Sequence, residues 1–281
     1  MTDRTAQPGR PAAAGLPEAA GADDGVRRDR QLQWLWRLLS FALVFAAWEV
    51  AGRIPISLAF PPFSETAVAL VEMLFDGTLF AAYGETLRPL VVGLLLCGAM
   101  AVLFGVGMGL SETVEWFSLP IFIILQAAPM AAIIPLITFI YGIGFGAKVF
   151  AVMLMSAPII VLNSYKGIRN TSPSLLEMSR SFMATRRQQI VKIILPHASG
   201  LIFAGLRLGA AAGVTGVVLA ELLITPTGVG DLITYYRAVA EYPRMFASIA
   251  SIIIFSSVTV TLLQRLEQTL FRPETRGPSG E

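Results

Sequence analysis

Apolar residues along this chain gather into blocks of about twenty, separated by short polar stretches, a spacing that predicts helices able to cross the roughly 30 Å of bilayer hydrocarbon. The blocks fall at 34–52, 87–110, 117–141, 148–166, 199–223 and 246–268. Between the first two, Pro61-Pro62 followed by Phe63-Ser64-Glu65-Thr66 reads as a helix start outside the bilayer, opening an amphipathic piece that lies along the surface. The expected fold is all-α, a polytopic membrane protein with about six transmembrane helices over residues 32–272. Residues 1–31 hold Pro, Ala, Gly and Asp and almost no large apolar side chains, which predicts a disordered tail. Residues 273–281 are expected to form a second one. A signal peptide is the competing reading around Trp34 to Ala47, but the apolar run starts late and Arg37 interrupts it, so a retained first span is favoured.

Composition supports this picture and narrows it. Hydrophobic residues make up 55% of the chain and charged ones 14%, with a mean hydropathy of +0.68, so most of the surface must meet lipid or other helices. A formal net charge of +2 gives no concentrated basic face, which argues against a nucleic-acid partner. The positions of Lys and Arg set the orientation. With the N-terminus inside, the tail through Arg37 and the loop from Lys166 to Lys192 hold six each and the C-terminal end three more (Arg265, Arg272, Arg276). Only Arg53, Arg88, Lys148, Arg237 and Arg244 fall outside. Both termini are therefore expected in the cytoplasm of a cell inner-membrane protein. The one cysteine, Cys97, lies in an apolar run and excludes an intramolecular disulfide or a cysteine metal cluster.

The longest cytoplasmic connection, 167–197, is patterned as two short helices rather than a linker. Ser172 before Pro173 supplies an N-cap and a first-turn proline, and Leu175, Leu176, Ser179, Phe182 and Met183 follow at helical spacing. Thr185-Arg186-Arg187-Gln188 has capping-box spacing, and Pro196 is expected to end the second helix before the fifth span. An amphipathic helix held off the membrane either docks a protein partner or lies on lipid headgroups.

Glu177-Met178-Ser179, then Met183, then Ile193-Ile194-Leu195-Pro196 resembles the EAA loop of ABC importer permeases: Glu-Ala-Ala, three residues, Gly, nine residues, Ile-x-Leu-Pro. Further residues are similar to the nitrate, sulfonate and taurine branch: Thr86-Leu87-Arg88, Pro129, Pro135-Leu136, Gly142-Ile143-Gly144, Lys148, and Ala220-Glu221-Leu222 before Gly228-Val229-Gly230. The resemblance covers about residues 80 to 270 and implies the type I ABC importer (MetI-like) permease fold. It implies cytoplasmic ABC ATPase subunits, a second permease copy and an extracytoplasmic solute-binding protein as partners. It also implies an ATPase-coupling loop carrying Leu175, Glu177, Met178, Ser179, Phe182, Met183, Ile193, Leu195 and Pro196, with Glu177, Ser179 and Met183 at the docking surface. Met183 replaces the family's glycine. A side chain in the left-handed conformation costs about 1 kcal/mol or more, so the sequence leaves open whether Met183 keeps the left-handed turn or the chain turns without it.

Other residues carry two readings each. Gly205, Gly209 and Gly213 form a small-xxx-small ridge for close helix packing or for a gating interface with the partner copy. Arg207 and Glu221 stand about 21 Å apart along one helix, so each needs another partner. As ionisable groups at membrane depth they are translocation-path candidates, yet Glu221 equally suits a structural bond to the 226–231 loop, and Arg207 snorkelling to the cytoplasm. Gln126, Met130 and Asn163 either line the path or bond between helices. No GxxxxGK[ST] loop occurs, so any ATP is hydrolysed by another chain, and no cofactor or metal is expected on this one. Gly142-Ile143-Gly144-Phe145-Gly146 follows an apolar span instead of a strand and is rejected as a nucleotide site. His197 lacks catalytic partners. The alternative function, a stand-alone secondary carrier, requires an internal repeat and a midplane carboxylate, neither of which the sequence supplies.

Overall fold

The computed structural model describes residues 20–54 and 59–271, with backbone only at 20–31, 268, 270 and 271. Contacts divide the chain into two units, residues 1–56 and 57–281. The first contains α1 (Ala20–Arg53), whose stretch Leu32–Arg53 is long and apolar enough to cross a membrane. The helix begins inside the segment expected to be disordered. Residues 1–19 and 272–281, where the rest of the two tail expectations lie, are outside the described residues.

The second unit opens with α2 (Phe63–Phe75), which starts behind Pro61-Pro62 as the proline pair predicts and buries Thr66, Ala69 and Met73. Asp76 accepts a hydrogen bond at 2.8 Å from the N–H of Thr78, the first residue of the next helix, and this bond holds the Asp76 carboxyl below the usual range. Then follow α3 (Thr78–Leu110), α4 (Glu112–Ala127), the short α5 (Met130–Ile133), a 3-10 turn and α6 (Thr138–Tyr141). The remainder is α7 (Phe145–Arg169), α8 (Pro173–Ser181), α9 (Arg186–Gln189), a π turn (Ile190–Ile194), α10 (Leu195–Leu223), α11 (Val229–Ala238) and α12 (Tyr242–Phe271). No strand occurs among the described residues. Five helices qualify as spans, and a sixth forms if the bent pair Glu112–Ala127 and Met130–Tyr141 counts as one.

Two expectations about helix continuity are corrected. The block 117–141 is not one straight helix: it turns by 89° between α4 and α5. Proline disfavours the α region for the residue before it, and Ala128 sits at φ −67, ψ 141 before Pro129. Pro196 was expected to end a helix, yet the chain is helical without interruption from Arg186 to Leu223. Proline has no N–H and collides with the carbonyl four residues back. Here the Leu195 N–H reaches back five residues to the Ile190 carbonyl, and the widened π turn makes room for the ring.

The bundle is built around α7, with α3 and α10 lying along it through glycines. Without Cβ atoms, Gly93, Gly105 and Gly109 of α3 rest on Val152, Val161 and Ile168. From α10, Gly205 lies on Asn163, Gly209 on Ile160, Gly213 on Val152 and Ser156, and Gly216 on Ala151. A Cβ at Gly209 would stand 2.4 Å from Ile160 Cγ1, and the Ser156 hydroxyl donates to the Gly209 carbonyl at 2.7 Å. The ridge read from the sequence is thus filled by α7 of the same chain. Because lipid is as apolar as leucine, such close contact and hydrogen bonding hold membrane helices together. Gly209→Val overpacks this contact and is expected to cost roughly 1–3 kcal/mol, read as a lowered thermal midpoint of the detergent-solubilised protein.

Candidate functional site

The connection between α7 and α10 folds back on itself at one end of the bundle. Pro173 takes the first turn of α8 as expected, but the Ser172 hydroxyl pairs with the Ser174 hydroxyl at 2.8 Å instead of capping the helix. The turn after α8 is left-handed at Met183, with φ +52, so of the two turns left open by the sequence the left-handed one is formed. The Met183 N–H donates to the Arg180 carbonyl and the Ala184 N–H to the Ser179 carbonyl at 3.0 Å, the double bond pattern that terminates helices, and it outweighs the local cost of the methionine Cβ. The predicted capping box is formed: the Thr185 N–H donates to Gln188 Oε1 at 2.8 Å and the Gln188 N–H to the Thr185 hydroxyl at 3.4 Å.

The residues of this connection divide sharply by exposure. Glu177, Met178, Phe182 and Met183 point outward, Phe182 and Met183 being 81% and 91% exposed. Ser179 does not join them. It is buried, its hydroxyl donates to the Leu176 carbonyl at 2.7 Å, and it accepts from Gln189 Nε2 at 2.9 Å, so it ties α8 to α9. Leu175, Ile193 and Leu195 are half-buried, and Pro196 is exposed beside the π turn. The Arg186 guanidinium donates to the Leu110 carbonyl at the end of α3, at 3.3 Å, which fastens the loop to a second span. Arg169, at the end of α7, pairs with Glu115 of α4 at the same end of the bundle.

At the opposite end stands a sealed polar cluster. The Glu221 carboxylate of α10 receives Lys148 Nζ of α7 at 2.9 Å, the Thr86 hydroxyl of α3 at 2.9 Å and the Gly230 N–H of α11 at 3.0 Å. Lys148 also donates to the Thr227 carbonyl and hydroxyl, and the Thr86 hydroxyl accepts from the Val229 N–H. Both charged side chains are buried, at 3% and 0% exposure. Gly228, at φ +91, closes over the cluster: a Cβ there would meet Glu221 Oε1 at 2.1 Å. Of the two readings of Glu221, this geometry is the structural one, because its oxygens are used up on the 226–231 loop and its neighbours. Lys148, counted by the sequence among the charges of the outer side, lies in the first turn of α7 and is buried inside the bundle. Its place as the first residue of an apolar block, with an opposite charge ending another block, was the signal available in the sequence.

The other path candidates scatter. Arg207 pairs with Glu267 of α12 at 3.1 Å. The Asn163 amide donates to the Ile159 carbonyl of its own helix at 2.8 Å beneath Gly205. Gln126 and Met130 flank the bend at Pro129, the first exposed and the second partly so. Among the described residues no group of three or more His, Cys, Asp or Glu could hold a metal.

Five helices long and apolar enough to cross a membrane, or six with the bent pair, and a braced pair of short helices at one end of the second unit are the make-up of a polytopic membrane protein. The sequence profile of the inner membrane component of binding-protein-dependent transport systems matches residues 99–272, and the chain belongs to that family. It is 27% identical over 266 residues to SsuC of Bacillus subtilis (strain 168), a permease named for aliphatic sulfonate transport, covering 93% of this chain and 96% of that one. It is 25% identical over 256 residues to the taurine transport system permease TauC of Escherichia coli (strain K12), covering 86% and 93%. The fold is similar to that of the MetNI methionine ABC transporter in inward-facing conformations, with a TM-score of 0.59 at 20% identity over 72% of this chain and 99% of the other. The chain is a multi-pass inner-membrane permease subunit of an ATP-driven ABC importer, working with ATPase subunits and a binding protein. ATP hydrolysis resides in a separate subunit.

Removing one partner of a buried pair strands the other charge, so Lys148→Met or Glu221→Met is expected to destabilise by about 3–5 kcal/mol, and the double variant by less than either alone. A double-mutant cycle of thermal unfolding in detergent checks this, and additive losses would show that the two side chains act independently.

Proposed function

We propose that two copies of this chain form the channel of an importer for small organic anions of the sulfonate class, with both termini in the cytoplasm and the corner of the 170–190 loop seated in a groove of the ATPase. The single observation that carries the docking is the corner itself. Phe182 and Met183 are almost fully exposed while Ser179, Gln189, Thr185 and Arg186 around them are hydrogen-bonded within the chain. Two large apolar side chains on a stiff corner have no reason to face water, and they suit the role of anchors in a partner's pocket. Glu177 and Met178 complete the outward face. Ser179 braces it from within, Leu175 and Ile193 are half-buried, and Leu195 packs against the cluster of Ile168, Ala198 and Ile202.

The orientation is supported by the excess of Lys and Arg at the end carrying the loop. The substrate class is supported by the names of two similar permeases, SsuC and TauC. Glu221 is sealed inside the chain and Asn163 bonds its own helix, so the translocation path is assigned to Gln126 and Met130 at the bend and to Arg207, which is paired with Glu267 but partly exposed. The chain itself holds no cofactor.

In the reconstituted complex, Phe182→Asp places a charge in the docking pocket and is expected to lower ATPase co-purification and ATP-driven uptake at least tenfold, corresponding to about 1.4 kcal/mol or more. Met183→Gly is expected to ease the left-handed turn by about 1 kcal/mol while still weakening ATPase capture, because the anchor is lost. Capture undiminished in both variants would rule out docking through this corner.

A further inference from the structure

A cleft of about 480 Å³ opens between α10 and α12 in the half of the bundle that carries the coupling loop. His197, Gly200, Ala204 and Arg207 line it from α10, and Gln264 and Glu267 from α12. Arg207 follows His197 by ten residues, which puts it about 15 Å further along the helix axis, so the cleft reaches from the bundle end well into the span.

The two interhelical ion pairs that α10 makes differ in one respect. Lys148 at Glu221 spends its donors on three acceptor atoms and is sealed from solvent. Arg207 makes one hydrogen bond, from Nη1 to Glu267 Oε2 at 3.1 Å, and its side chain is 25% exposed toward the cleft. A guanidinium carries five N–H donors in a planar fork and stays charged in proteins. Four of them have no acceptor among the described residues. A cation kept only to dock α12 on α10 would be expected to saturate its donors at this depth, as Lys148 does.

We propose that this cleft is an oxyanion subsite in which the Arg207 fork takes two oxygens of a sulfonate or phosphate group, the Gln264 amide and the His197 ring stand as further polar groups on the same walls, and Glu267 keeps the guanidinium oriented. The solute source of such a group rests on the functional reading above and gives it a place on the inner half of the path. A phospholipid headgroup phosphate offers the same chemistry and reaches the cleft from the bilayer.

The test uses the permease–ATPase complex with Ala204→Cys as a reporter thiol. The sequence holds a single native cysteine, Cys97, which is 2% exposed. Maleimide labelling is timed in dodecyl maltoside, which carries no phosphate, with and without ethanesulfonate, and separately in nanodiscs containing phosphatidylglycerol. Protection of about threefold, the free fraction left at ligand about twice Kd, is expected with Arg207 intact and is lost in Arg207→Gln. Protection by ethanesulfonate assigns the solute as the source, and protection only in phosphatidylglycerol assigns the lipid. Absence of protection by both, or equal protection in Arg207→Gln, overturns the subsite. Should the Gln variant fail to assemble, Arg207→Lys keeps the charge and the Glu267 pair but loses the fork: weakened protection supports the proposal and full protection overturns it. Uptake of ethanesulfonate with the cognate binding protein is measured on the same preparation. Uptake without protection removes the subsite alone, and protection without uptake removes the functional reading alone.

Discussion

Lipid gives apolar helices no hydrophobic reason to associate, so this bundle depends on how closely other helices can approach α7. Glycines on α3 and α10 meet it from two sides and remove the Cβ atoms that would hold the backbones apart. Buried polar groups then find partners across the seams: Ser156 on the Gly209 carbonyl, and Lys148 and Thr86 on Glu221. The outcome is a three-helix core whose members cannot slide without exposing a charge or colliding with a side chain.

That rigidity gives the projecting loop its mechanical meaning. The second loop helix is continuous with the fifth span through the π turn, so α9 and α10 form one 38-residue lever. The first loop helix is fastened to the second by Ser179 and Gln189, and Arg186 reaches the end of α3. A push on the exposed corner at Phe182 and Met183 is therefore delivered to α10 and α3 together, and through their glycine seams to α7. At the far end the Lys148–Glu221 cluster ties these three helices to the start of α11, so displacement there is shared.

Much of this was legible in the sequence because the bilayer imposes a length and a polarity on every span. Five of the six apolar blocks are single helices, the capping box at Thr185 forms as its spacing requires, and the amphipathic helix behind Pro61-Pro62 is present. What escaped was set by tertiary context. Pro129 stands at a break and Pro196 does not, and ahead of Pro196 the backbone widens into a π turn. Met183 adopts a conformation its own propensity disfavours because the helix-terminating bonds around it require one. Ser179 matches a docking motif and yet faces inward. Glu221 bonds the 226–231 loop as one of its two readings held, but its charge partner Lys148 and the Arg207 partner Glu267 come from helices far off in sequence, and no local pattern announces such pairs.

The central claim is that the loop corner engages the ATPase rather than the lipid surface. A photo-crosslinking amino acid at position 182, in the complete importer reconstituted in lipid, tests it directly. Adducts with the ATPase subunit whose yield changes when ATP is added are the predicted result. Adducts with phospholipid alone, unaffected by ATP, would contradict the account.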